Sequence, residues 1–393
     1  MSSAAPVYIL EGARTAVGSF GGAFASVPAH ELGAAAVGEA VRRAGLTVAD
    51  VDEFIIGCVG QVGPDAFVAR RVALAAGARE SSTAMTVNRL CGSGLQAAAS
   101  AALELREGDS AIVVAGGAEN MSRQPFMDFD ARNGYRLGHH QLVDGTLSLV
   151  TDPWGRYPMG RTAENVATRF SIRREDQDRF AAESQRRAAE AIDQGLVAAE
   201  VVPVTVRQRK STFDVTEDEH PRATTVEALA ELRPAFSEDG TVTAGNSSGI
   251  NDAGAALVLA SADAVEQRSL TPIAELVAFA KVGLAPDIMG YAPVAAIQKV
   301  LDKAALTLDD IGWIELNEAF ASQALAVQRD ARLDPSLVNP LGGAIAWGHP
   351  IGATGTILAL RTIYNIRRLG REYGLITMCI GGGQGVAAIV RAV

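Results

Sequence analysis

AGLTVADVDEFIIG at residues 44–57 and AALTLDDIGWIELN at residues 304–317 are one pattern written twice. Ala, Leu, Thr and Asp recur in register, and the apolar positions match in kind. The echo continues downstream. Val87-Asn88 before Cys91 recurs as Val338-Asn339 before Gly342-Gly343, and Ile112–Gly117 recurs loosely as Leu375–Met378 running into Cys379-Ile380-Gly381. A repeat this long implies two copies of one α/β unit rather than a solenoid of short modules.

Each copy alternates strand and helix patterns. Residues 53–59 form an apolar run, 93–105 a small-residue helix and 111–115 another apolar run. Continuous apolar strands predict sheets covered by helices on both faces. The Ala-rich helix after Cys91 is apolar around most of its circumference, as a central helix between two sheets requires. The character changes between the copies, dividing the chain into 1–120, an insertion over 121–245, and 246–393. In the insertion, Ser171 is expected to N-cap a charged helix running to about 193 and closed by Gly195. Arg207, Arg209, Lys210 and the acidic Glu217-Asp218-Glu219 read as a hydrated surface.

The chain has 393 residues, 48% of them hydrophobic, and a net charge of −10, which disfavours nucleic-acid binding. Residues 1–5 lack a basic region before an apolar one, and no apolar run reaches membrane-spanning length, so a soluble cytoplasmic protein is expected. Three dispersed cysteines make neither a disulfide framework nor a zinc site, and His139-His140 reads as a surface pair.

Two of those cysteines and one of five histidines stand among small residues. Cys91 lies in NRLCGSG, His349 in WGHPIGATG and Cys379 in MCIGGGQG. A thiol at a helix N-terminus is expected to have a lowered pKa. A histidine can take its proton, and a second thiol suggests acyl transfer through a thioester. Gly381–Gly383 can offer amides to an anion. Asn317 can hold a water or donate to an oxyanion, with Glu318 orienting its neighbours. Two other motifs mislead. Gly92-Ser93-Gly94-Leu95-Gln96-Ala97 fits a dinucleotide fingerprint only in isolation. Gly245-Asn246-Ser247-Ser248-Gly249 lacks the following helix that a nucleophile elbow requires. Cys58, in FIIGCVG, reads as core.

VNRLCGSGLQA, MGRTAENVA, GTVTAGNSSGINDAGAA, NEAFA, GGAIAWGHPIGATG and TMCIGGGQG, in this order, resemble the thiolase family across essentially the whole chain. The resemblance implies duplicated αβαβα layers with an inserted loop domain that carries CoA-binding loops, and assembly as a homodimer or homotetramer. It also implies thiolysis of 3-ketoacyl-CoA or the reverse Claisen condensation, with CoA thioesters as substrates and neither metal nor redox cofactor. On that basis Cys91 is the acylated nucleophile, His349 its activator and Cys379 the acid/base at the acetyl α-carbon. Asn317 and His349 stabilise the enolate oxygen, and the amides of Cys91 and Gly381 form an oxyanion site. Ser248 and Met159 lie near the pantetheine arm and Arg222 near the nucleotide. Pro158, where acetoacetyl-CoA-forming relatives often carry His, resembles the degradative branch that serves β-oxidation. Trp347, in place of an aliphatic residue, is expected to reshape the acyl pocket, and Asn251–Gly254 inverts the usual Gly-Ala order. A ketosynthase or 3-hydroxy-3-methylglutaryl-CoA synthase is the alternative within this fold; Cys379 argues against the ketosynthase. A non-catalytic acyl-CoA-binding protein is the alternative outside it, and an intact Cys91 argues against that.

Overall fold

The two copies are visible atom by atom in the computed structural model, which describes residues 5–208 and 211–393. Readings placed on residues 1–4, Arg209 and Lys210 lie outside the described residues. Asp50 accepts the backbone N–H of Thr47 at 2.9 Å, and Asp310 accepts that of Thr307 at 2.8 Å. Each pair closes a single 3-10 turn that aims the chain into a buried strand.

The first half contains β1 (Val7–Arg14), β2 (Glu53–Gly57), β3 (Thr83–Val87), β4 (Ile112–Asn120) and β5 (Asn251–Ser261). The second contains β6 (Ala274–Gly283), β7 (Ile311–Leu316), β8 (Tyr373–Ile380) and β9 (Gln384–Ala392). In the first half β2 runs parallel to β3 and β4, and β5 pairs antiparallel with both β4 and β1. The second half repeats this arrangement, with β7 parallel to β8, β8 antiparallel to β9 and β9 antiparallel to β6. The place of β3 is taken by Val338, which makes only a parallel bridge to Ile314. The halves join edge to edge through two antiparallel pairs, Tyr8↔Glu275 and Ile9↔Ala274, giving one path β7-β8-β9-β6-β1-β5-β4-β2-β3.

Among the helices are α1 (Ala29–Arg43), α2 (Ser93–Glu107), α3 (Arg174–Asp193, in the insertion), α4 (Pro293–Ala304) and α5 (Thr354–Arg368). α1 covers the outer face of the first half and α4 that of the second, while α2 and α5 pack together in the middle. Small residues permit that contact. A methyl group at Gly94 would stand 2.6 Å from Thr356 Oγ1, and one at Gly355 would stand 2.4 Å from the backbone nitrogen of Leu95. The largest apolar cluster sits here, joining Leu95, Ala98 and Ala102 to Leu358, Ile363, Ile376 and Met378. Each Å² of apolar surface buried in this central layer contributes roughly 25 cal/mol to holding the halves together.

Three sequence expectations need correction. β5 pairs within the first half, whereas a boundary at 245/246 assigns it to the second. Ser171 caps no helix: with φ of 56° it terminates the preceding helix, and α3 starts three residues later without a side-chain cap. The acidic run is not simply hydrated. Asp218 receives Arg14 Nη1 and the Val17 amide, both at 2.7 Å, and Glu219 receives the Ser19 amide at 2.9 Å. These bonds tie the insertion to the end of β1, where Arg14 is fully buried and also paired with Glu200 at 2.7 Å. Among the described residues no helix is long and apolar enough to cross a membrane.

Candidate active site

The fold brings the ends of β3 and β8 close together, with one thiol in the turn after β3 and the other on the last residues of β8. In the first turn Leu90 adopts φ of 46°, unusual for a side chain with a Cβ. The side chain of Asn88 holds it there by accepting the Leu90 amide at 2.9 Å, and Cys91 is delivered just ahead of α2. At the second, Cys379 and Ile380 end β8 and a turn of three glycines follows. A methyl group at Gly92 would stand 2.6 Å from Ile380 Cδ1, so the turns pack directly on each other. Arg89 Nη1 reinforces the contact by donating to Gln384 at 3.0 Å.

Cys91, His349, Cys379 and Gly381 line a single cavity of about 450 Å³. The Gly381 amide works to lower the Cys91 thiol, but burial outweighs it and pushes the thiol up to about 11. This reverses the expected lowering: a helix terminus is worth about 0.3–1 kcal/mol in most settings, too little to offset desolvation of a thiolate. Burial also raises the Cys379 thiol, and the neighbouring Cys91 adds to the effect. His349 is pushed the other way, down to about 4, by burial. At neutral pH the three groups are therefore two thiols and a neutral imidazole.

Hydrogen bonding fixes which imidazole nitrogen is free. Thr354 Oγ1 donates to the Pro350 carbonyl at 2.9 Å and lies 2.7 Å from His349 Nδ1, so it accepts from an Nδ1–H. Nε2 is then a bare acceptor, and it has no protein partner. The backbone is held equally firmly. Asn251 Oδ1 accepts the His349 amide at 2.9 Å while its Nδ2 donates to Gly18 at 3.0 Å. Glu318, its carboxyl raised by burial, receives Ser184 at 2.7 Å, Asn339 at 2.8 Å and the Ile345 amide at 3.2 Å. Glu318 thus anchors the short helix that leads into Gly348 and His349.

The remaining candidates divide. Ser248, Met159 and Arg222 all line the same cavity, as does Pro158. Asn317 is fully buried behind the wall; its amide donates to Thr377 at 3.0 Å, and neither side-chain atom has a protein partner. Trp347 does not face the cavity. Its indole nitrogen donates to Leu341 at 2.8 Å and its ring lies 4.8 Å from the Arg361 guanidinium, inside the core. The phase of its short helix directs the side chain away from His349, so the expected reshaping of the pocket does not occur. Cys58 is buried as core, and His139-His140 is exposed. The dinucleotide decoy fails because Gly94 is closed over by Thr356, and the elbow decoy because a strand follows it.

Sequence reading missed His220, which lines the cavity with its pKa lowered to about 4 by burial and then by Arg222. It also missed Thr354 and Asn251 as supports of His349. Two apolar walls went unrecognised as well. Met121, Ile351, Leu149 and Val150 pack on the Cys91 side, and Met289, Phe320 and Phe236 on the Cys379 side.

Residues 7–263 match the family model for the thiolase N-terminal domain, and residues 270–392 match that for the thiolase C-terminal domain. An acetyl-CoA acetyltransferase of Syntrophomonas wolfei is 45% identical over 98% of this chain and 99% of its own length. The crystal structure of the Bacillus anthracis acetyl-CoA acetyltransferase superposes with a TM-score of 0.98 at 41% identity over 100% of both chains. That of human mitochondrial 3-ketoacyl-CoA thiolase superposes with a TM-score of 0.96 at 39% identity, again over 100% of both.

Proposed function

The chain belongs to the thiolase family, and from that membership we propose an acyltransferase that cleaves 3-ketoacyl-CoA with CoA, or runs the reverse condensation. One observation supports the residue roles most strongly: two thiols, a bare imidazole nitrogen and the Gly381 amide share one cavity.

As Cys91 attacks the keto carbonyl, His349 Nε2 takes its proton, so charge separates only while the new bond forms. The amides of Cys91 and Gly381 receive the developing oxyanion. The bond between the α-carbon and the carbonyl carbon then breaks, leaving an acyl thioester on Cys91. Cys379 gives its proton to the departing acetyl-CoA carbon, whose enolate oxygen is stabilised by His349 and by Asn317 through a held water. Incoming CoA returns a proton to Cys379, its sulfur displaces the acyl group from Cys91, and the Cys91 thiolate recovers its proton from His349. The upward shift of both thiols suits this sequence, because each is needed as a proton donor or as a transient nucleophile rather than as a standing thiolate.

CoA thioesters are the only partners the chemistry requires. Ser248 and Met159 lie along the pantetheine arm and Arg222 near the nucleotide. The apolar wall beside Cys91, together with Pro158, favours acyl groups longer than acetyl and hence the degradative direction, in β-oxidation. The exposed edge strand β3 and the exposed Phe126, Phe129, Leu137 and Leu142 favour assembly as a dimer or tetramer. A cytoplasmic location fits the same reading. The test is loss of 3-ketoacyl-CoA absorbance with free CoA across a chain-length series. No turnover at any length overturns the activity, and a kcat/KM confined to acetoacetyl-CoA overturns the chain-length reading.

A further inference from the structure

One buried carboxylate near the site has no part in this reaction scheme. Glu119, at the end of β4, is fully buried and faces no arginine or lysine at salt-bridge distance among the described residues. Its partners are neutral donors from two separate loops. Oε2 accepts the Val59 amide at 2.9 Å and the Gly352 amide at 3.0 Å. Oε1 accepts the Gly60 amide at 3.0 Å and faces the Cys58 sulfur at 3.7 Å.

The two loops belong to opposite halves of the duplication. Val59 and Gly60 follow β2, whose last residue, Gly57, lies against the start of the nucleophile helix. A methyl group at Gly57 would stand 2.7 Å from the Ser93 carbonyl carbon. Gly352 is three residues past His349. A methyl group there would stand 2.6 Å from Glu119 Oε2, and its carbonyl would stand 2.1 Å from one added at Gly117. Backbone thus meets backbone at this seam with no side chain between, and Glu119 is the polar group that joins it.

We propose that Glu119 is a positioning residue: by receiving amides from both loops, its carboxylate sets the His349 loop against the Cys91 turn. Burying an acidic group without a cationic partner is costly, and the amides compensate only while all three point at it. Burial raises the Glu119 carboxyl to about 7, and the three amides oppose that rise by favouring its ionised form, which can accept four donors and has no proton to obstruct them. A glutamine in its place would turn an NH₂ group toward at least one amide. Reacting groups displaced by about 1 Å lose rate on the order of 100-fold, so a brace at this seam acts on turnover more than on substrate affinity.

The inference rests on the thiolase reading, and the experiment separates the two. Glu119→Gln, Glu119→Ala, His349→Ala and the double variant are compared by kcat, KM for CoA and thermal melting. Glu119→Ala is expected to lose about 100-fold in kcat, with KM for CoA changing less than about threefold. Glu119→Gln, which retains one acceptor oxygen and serves if the alanine variant does not fold, is expected to lose about tenfold. In the His349→Ala background a Glu119 substitution should cost less than about threefold, because the loop it positions no longer carries the base. Wild-type kcat in both variants, loss only in proportion to the unfolded fraction, or a fully additive double variant would overturn the proposal. Absence of thiolysis by the unmutated protein would count against the activity alone. Iodoacetamide alkylation of Cys91 then gives the readout, and a Glu119 effect on its rate that persists without His349 overturns the proposal.

Discussion

Thr354→Val tests the site at its most economical point, since valine preserves shape and removes only the hydroxyl. The 2.7 Å contact from His349 Nδ1 is then lost inside a region that water does not reach. A buried donor left without a partner costs about 1–3 kcal/mol, and the imidazole escapes that cost by moving its proton to Nε2. That shift removes the acceptor Cys91 needs. A penalty of this size on the competent tautomer corresponds to roughly 5- to 150-fold in kcat. Thiolysis kinetics give the rate, and ¹⁵N shifts of the histidines report the tautomer. The expected results are a kcat loss in that range, a new Nε2–H signal from His349, and recovery in Thr354→Ser. Wild-type kcat in Thr354→Val, or an Nε2–H imidazole in the unmutated protein, would refute the reasoning.

Cys379→Ser should still form the acyl adduct on Cys91 from acetyl-CoA while losing exchange of the acetyl α-protons, measured in deuterated buffer; loss of both would place Cys379 elsewhere in the scheme. Glu200→Gln should destabilise the fold by about 3–5 kcal/mol in urea titration, because it leaves Arg14 and Arg361 buried with one charge partner fewer. Burial opposes ionisation of Glu200, but Arg361 and Arg14 prevail and hold its carboxyl below the usual range. Its contribution is therefore present above an unfolded carboxyl pKa of about 4.3 and lost as pH falls through the lower folded value. Glu315 behaves oppositely, since burial raises it to about 8. The folded state then holds a proton that the unfolded state releases, so stability falls as pH rises from the unfolded value toward 8. Urea unfolding at pH 5 and 8 should show the decline, and Glu315→Gln should flatten it by a few kcal/mol, on the order of 3; an unchanged slope would count against a protonated Glu315.

The duplication was legible because its Thr-to-Asp turn and apolar run are local signals that each copy needs on its own. Cys91, His349 and Cys379 were legible because rare reactive residues stood where glycine leaves room around them. What escaped reading depends on contacts between distant segments. β5 joins the first half only by pairing with β1 and β4, which lie more than 130 residues upstream, and no local pattern announces that choice. The raised thiol of Cys91 follows from burial by elements of both halves, whereas the helix-end argument used only its immediate neighbours. Trp347 was misassigned because adjacency to His349 in sequence says nothing of where a one-turn helix points its last side chain. Glu119, Asn251 and Thr354 look unremarkable in their strings, and only the seam between the halves gives them a task.

The account stands most directly on Cys91 as the acyl carrier. The protein is mixed with a 3-ketoacyl-CoA in the absence of CoA, quenched in acid, digested and mapped by mass spectrometry. The prediction is one acyl group, shorter than the substrate by two carbons, on the peptide bearing Cys91, and none in Cys91→Ala. The same group on Cys379, or turnover by Cys91→Ala with no adduct, would contradict it.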